Sequence, residues 1–210
     1  MRNSIFTLSI LTIALLVNSC SNSVPEKKDY SKEVDEGSFS GNTYSNKVLG
    51  WEITFPETWI VTEKKSLENA DERSKAMVGD TTTSTKTINR LLAFQKNYDN
   101  NFQSTREDFK GRDAASYHAI KNGVRKQVYF AYLDQRFNVD TTSSSEKIDN
   151  VTFDCFEIML YDQTGKKFAT QLLYSTILKD SYFNVIINYS NEKDKATLLN
   201  AFKKSTFKVS

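Results

Sequence analysis

Apolar residues alternate with other positions over Leu49, Trp51, Ile53 and Phe55, with Gly50, Glu52 and Thr54 between them. That period of two predicts a half-buried strand. Pro56 ends it, and Trp59 to Thr62 can start the partner strand. Ser66 is placed to cap a short helix through about Val78, with Leu67, Ala70 and Met77 on one side and Gly79-Asp80 as its stop. Leu91 to Gln95 and Phe102 to Phe109 read as strands, joined across the turn-rich run Asn97-Tyr98-Asp99-Asn100-Asn101. From Asp113 onward, Tyr117, Ile120, Val124, Val128, Ala131 and Tyr132 recur at steps of three and four, one apolar stripe of a helix. Asn122-Gly123 interrupts that stripe and is a strong hairpin signal, so a hairpin stays open as the alternative there.

Three β-rich runs follow: Val151 to Tyr161, Lys167 to Leu178 and Tyr182 to Tyr189, with Asp162-Gln163-Thr164-Gly165 and Asp180-Ser181 as turns. Strands joined by such short loops must be antiparallel, since parallel neighbours need a dozen or more connecting residues. In the first run the apolar set changes from Val151/Phe153/Cys155 to Phe156/Ile158/Leu160, which predicts a bulge near Cys155. A closing helix is capped near Asn191, with Asp194 in its first turn and Lys203 and Lys204 in its last, as the helix dipole favours. Leu198, Ala201 and Phe202 would face the sheet. The helices need a sheet on which to bury their stripes. The expected fold class is therefore α+β, a single antiparallel sheet with helices on both faces.

The first twenty residues have a different character. Arg2 precedes an apolar run from Ile5 to Val17, too short for a permanent membrane span and of the right length for the hydrophobic part of a secretory signal. Val17-Asn18-Ser19-Cys20 then resembles the lipobox of bacterial lipoproteins, with Asn18 a departure from the usual small residue at its position. The resemblance implies cleavage after Ser19 and acylation of Cys20 with diacylglycerol on sulfur, often with a further palmitate-type chain on the new amine. One acyl chain binds a bilayer marginally and two or three hold stably. Residues 1–19 are thus expected to be a lipoprotein signal peptide, and 20–43 a lipidated Cys with a flexible Ser/Asn/Glu/Lys spacer. Ser21, where an Asp would favour inner-membrane retention, favours the outer membrane in a two-membrane envelope.

Composition narrows the chemistry. The chain has 210 residues, and its net charge of +2 supplies no field for nucleic acid. One His and two Cys exclude nearly every zinc, haem or iron–sulfur arrangement. His118 stands alone and reads as a helix-face histidine; Cys155 reads as a small buried hydrophobe without a disulfide partner. Gly165-Lys166 lacks the upstream Gly and the following Ser/Thr of a phosphate loop. No nucleophile elbow or His-Glu-x-x-His segment occurs, and no cofactor is expected. Asp80-Thr81-Thr82 and Asp140-Thr141-Thr142 resemble the O-glycosylation acceptor sites of some envelope bacteria, although ordinary polar loops account for them as well.

The segment from Tyr44 to Trp59, Tyr-Ser-Asn-Lys-Val-Leu-Gly-Trp-Glu-Ile-Thr-Phe-Pro-Glu-Thr-Trp, resembles the opening of PsbP-like domains. There a Tyr precedes a Gly-aromatic strand that ends in Pro-x-x-Trp. The three-strand meander, last helix and Ser205-Thr206-Phe207 tail are similar to the family's ending. The resemblance covers residues 44–210 as one domain and implies an α/β/α sandwich. Family members share no active site, so no functional residue carries over. The expectation is a membrane-anchored envelope lipoprotein whose domain binds an envelope protein partner and is not an enzyme. The alternative is a carrier of a small molecule or metal ion in a groove beside the sheet.

Overall fold

The computed structural model describes residues 29–69 and 88–208. A short 3₁₀ turn at Ser31–Glu33 leads into β1 (Ser38–Ser40), β2 (Thr43–Asn46), β3 (Trp51–Thr54) and β4 (Ile60–Val61). Residues 64–69 are helical (α1). Glu63 O, not the Ser66 side chain, closes the first turn by accepting from Ser66 N and Leu67 N. The remainder of the helix expected through Val78 lies outside the described residues. β5 (Asn89–Asn97) and β6 (Asn100–Asp108) form a hairpin, then α2 (Ala114–Asp134) crosses to β7 (Asn138–Ile148). β8 (Val151–Tyr161), β9 (Lys167–Leu178) and β10 (Ser181–Tyr189) are the expected antiparallel meander, followed by α3 (Glu192–Lys203) and β11 (Thr206–Phe207). The last hairpin turns on Lys179 and Asp180, both at positive φ (48° and 56°), and Ser181 already belongs to β10.

The single sheet expected from the pattern is two. One has the order β4-β5-β6-β10-β9-β8-β7, the other β1-β2-β3-β11. The strand pair anticipated around Pro56 does not form. Trp59 N donates to Pro56 O at 3.0 Å, and this turn sends the chain from one sheet into the other. β3 pairs with β2 and β11, whereas β4 pairs with β5. Alternation had reported that one face of each strand is buried, and it carries no information about which strand lies alongside.

The seven-stranded sheet is covered on both faces. On one, Trp51, Phe102, Phe153, Phe183, Phe202 and Phe207 form an aromatic core with the four-stranded sheet and α3. On the other, Phe156, Ile158 and Leu160 of β8 meet Val128 and Tyr132 of α2. This explains the change of apolar set along β8 without a bulge. Its pairing with β9 runs unbroken from Asp154↔Ser175 to Leu160↔Ala169, and the irregularity lies between Leu160 and Tyr161. Odd residues up to Cys155 serve one core and even residues from Phe156 the other, as simple alternation allows. α2 is continuous through Asn122-Gly123, which excludes the hairpin. Both residues lie on its exposed side, so the half-buried stripe fixes the helix.

Part of the expected spacer also differs. Tyr30 packs on Phe39 and Phe55 with ring centroids 5.4 and 6.2 Å apart, and Val34 is buried in the aromatic core. Arg90 N donates to Asp35 Oδ2 at 2.7 Å, and Arg106 Nε donates to Glu36 Oε1 at 2.6 Å. These apolar residues showed no periodicity because each is buried separately, through a distinct contact. Gly37, at φ +103°, sits where a Cβ would overlap the Tyr44 ring, whose hydroxyl donates to Glu36 O at 2.6 Å. From Tyr30 onward the described chain belongs to the folded domain.

Candidate functional site

Asp113 caps α2, its Oδ1 accepting from Ser116 N at 2.9 Å and Ser116 Oγ at 2.7 Å, and so stands the helix over the start of β8 and the end of β9. Phe109 N donates to Asp180 O at 2.7 Å, which ties the chain before the helix to the β9–β10 turn. Between them opens a cleft of about 460 Å³, lined in part by Phe109, Arg112, Tyr117, Asp154, Thr176 and Ile177. The Arg112 guanidinium lies over the Phe109 ring, 5.7 Å from its centre.

The polar corner of this cleft is built by two consecutive inward turns of α2. Tyr117 donates its hydroxyl to Asp154 Oδ2 at 2.6 Å, with Ser175 O at 3.2 Å. Lys121 Nζ donates to the same Oδ2 at 2.6 Å and lies 4.9 Å from the centre of the Tyr117 ring. The Tyr182 ring stands edge-on to Tyr117 at 5.9 Å. Burial alone would raise the Asp154 carboxyl, but the hydrogen bonds from Lys121 and Tyr117 outweigh it and hold the group below its ordinary range. Burial, reinforced by the Asp154 charge, pushes the Tyr117 hydroxyl up, and burial pushes Tyr182 up to about 12. Near neutral pH the corner therefore holds protonated phenols and one carboxylate already bonded by two donors. It has no free base and no activated nucleophile. What it does is dock α2 on the sheet, leaving a cleft able to receive a small guest.

A second groove of about 500 Å³ separates the small sheet from α3, with Glu52, Thr54, Pro56, Asn200, Lys204 and Thr206 among its walls. Neither groove gathers the residues flagged from the sequence. Cys20 and Asp80-Thr81-Thr82 lie outside the described residues. His118 is exposed on α2. Among the described residues no group of three or more His, Cys, Asp or Glu comes together to hold a metal ion. Cys155 is buried, and that burial pushes its thiol up. Gly165-Lys166 belongs to the β8–β9 turn, where Asp162 Oδ1 accepts from Thr164 N at 2.9 Å and Lys166 N at 3.0 Å. Asp140-Thr141-Thr142 is exposed on β7. Lys121 and Asp154 were not singled out by pattern. Their trace was a Lys one turn after Tyr117 on an apolar stripe, and an Asp between Phe153 and Cys155 in an apolar run.

No family model matches this sequence, and no curated protein matches it. Among solved structures, the fold is similar to the solution structure of cyanobacterial PsbP (CyanoP) from Synechocystis sp. PCC 6803. The TM-score is 0.52 at 12% identity, covering 81% of this chain and 98% of that one. A crystal structure from Bacteroides thetaiotaomicron VPI-5482 aligns with TM-score 0.40 and 14% identity, over 82% of this chain and 50% of the other. The cyanobacterial match supports a PsbP-like fold, richer in sheet than the sandwich expected. At such identity the likeness is one of fold alone.

Proposed function

Starting from a PsbP-like fold whose cleft holds its Asp154 carboxylate between two donors, we propose that this protein is a membrane-anchored lipoprotein of the cell envelope, with a domain that binds a protein partner without catalysis. The observation that carries the anchor is the apolar run Ile5 to Val17 ending at Val17-Asn18-Ser19-Cys20. With two or three acyl chains at Cys20 the domain stays on the membrane; with none it is released. Ser21 favours the outer membrane where the envelope has two. Labelling of cells with a fatty-acid analogue marks the protein in this reading, and Cys20→Ala abolishes both label and membrane fractionation. A Cys20→Ala protein that still sediments with membranes refutes the anchor. Crosslinking in intact cells then identifies the partner.

The cleft beside Tyr117 favours a second reading, a carrier of a small molecule, because it places Phe109 and Ile177 opposite a fixed polar corner. Native mass spectrometry of the purified protein distinguishes the two. A stoichiometric low-mass adduct that disappears in Ile177→Trp supports the carrier, and a clean apo mass refutes it.

A further inference from the structure

β7 ends the seven-stranded sheet on one side. It pairs with β8 residue for residue from Asn138↔Tyr161 to Ile148↔Val151, without a register shift over eleven residues. No described strand lies along its other side. In an antiparallel ladder every second residue turns both its N–H and its C=O away from the partner, so about half of β7 offers unpaired backbone groups outward. Residues 140–145 are exposed. Protein edges of this length are ordinarily blunted by Pro, bulges or inward charges. β7 has no Pro and no bulge, and its central run Thr141-Thr142-Ser143-Ser144-Ser145 is uncharged.

We propose that the outer edge of β7 is a docking strand for an extended segment of a partner protein, one that carries a basic side chain opposite Asp140. The inference rests on reading the domain as a binding module, and it does not depend on the lipid anchor. Main-chain hydrogen bonds would supply affinity, and side chains on the shared faces selectivity. Ile148 belongs to the aromatic core, so the even residues of β7 share that face, as does Glu157, which pairs with Thr142. The face is acidic. Glu146 is matched by Lys203 at 2.5 Å and Glu157 accepts from the Tyr189 hydroxyl at 3.4 Å; Asp140 has the Tyr161 hydroxyl beside it but no ion pair among the described residues.

Two further features favour a different chain over a second copy. A two-fold axis that keeps the sheet faces continuous must set one residue of β7 against its own copy, and the register that engages all eleven residues does so at Ser143. It sets Asp140 of each copy against Glu146 of the other, so that two carboxylates at each end share the one Lys203 ammonium already paired with Glu146, which is unfavourable. The first described residues, around Asp35, are also out of the way. They pack along β5, five inter-strand steps from β7, about 24 Å across the sheet. The described residues at that end of the chain thus lie away from the β7 edge.

The test uses the purified full-length protein and amide hydrogen exchange read at single residues. The probes are a capped eleven-residue Thr–Lys alternating peptide, its Thr–Glu counterpart, and a Thr–Lys peptide N-methylated at every second residue. At ten times its Kd the Thr–Lys peptide slows the outward amides of β7 by about tenfold, and the N-methylated peptide does not. Asp140→Lys and the milder Asp140→Asn weaken the Thr–Lys peptide by about threefold. Asp140→Lys also reverses the preference towards Thr–Glu. Equal slowing by the N-methylated peptide, no slowing by either charged peptide, or slowing that follows protein concentration alone (a second copy) overturns the assignment. A cellular partner whose crosslinks map away from β7 overturns it too, while leaving the binding-module reading intact.

Discussion

The two faces of the seven-stranded sheet are held by different physics. On one, α3 and the small sheet close over a continuous aromatic core in which Phe153 touches Phe183, Phe202 and Phe207, and Trp51 touches Tyr44, Phe102, Phe183 and Phe207. On the other, α2 rests on three buried side chains and a polar clamp, and Lys121 is the one buried residue that it contributes. Both helices use an Asp–Lys contact. Asp194 of α3 receives Lys96 Nζ at 2.8 and 2.9 Å, and Asp154 receives Lys121 from α2. Beside α3 that contact decorates a large apolar interface; beside α2 it is a main attachment. Apolar burial at about 25 cal/mol per Å² makes the first face the structural one and leaves the second free to open or to bind.

This contrast can be broken by mutation. Phe153→Ala should lower stability by about 4 kcal/mol in chemical denaturation, since it removes a ring packed against four aromatic neighbours, Tyr174, Phe183, Phe202 and Phe207. Ile158→Ala beneath α2 should lose less, about 2 kcal/mol; an equal loss would mean that the two cores bear equal weight. Asp154→Leu should come next at about 2 kcal/mol, because it strands the Lys121 ammonium whose side chain is 10% exposed. The double variant Asp154→Leu/Lys121→Met should recover most of that loss, and its failure to do so would show that Tyr117, not the ion pair, secures the helix.

Acid provides a gentler probe. The Asp154 carboxyl is held below its ordinary value, so its contribution is complete above about pH 4 and fades as pH falls through the lowered value. Exchange of α2 amides should accelerate over that range before α3 amides do, and Asp154→Asn should reduce the pH dependence of the difference, the remainder coming from the Asp113 and Asp194 carboxylates, which their own hydrogen bonds also hold low. The smallest effect belongs to the β7 edge. Thr142→Ala should change stability by less than about 0.5 kcal/mol, as an exposed side chain outside both cores. A larger loss would show that β7 is held by its own side chains and not by its ladder to β8.

Much of the fold is legible in the sequence, and each omission has a physical cause. The meander β8-β9-β10 could be read because short turns force antiparallel neighbours. The cap of α3 was visible because Asn191 and Asp194 act within one turn, the Asn191 side chain accepting from Asp194 N at 2.9 Å. β7 was invisible: its exposed Thr and Ser have no buried face to create a period, and β8 alone aligns them. The clamp of the candidate site stayed hidden because Lys121 and Asp154 are 33 residues apart and meet through the packing of α2 on the sheet.

Interactions within a few residues, whether alternation, capping or tight turns, are written in local chemistry and can be read there. They set the strands of the meander, the two long helices and the Val17-Asn18-Ser19-Cys20 signature. Contacts between distant segments chose the rest: the split into two sheets at Pro56, the assignment of β8 residues to two cores, and the exposed edge at β7. A pattern states that a side chain is to be buried, whereas the surface that buries it exists only once the whole chain has come together.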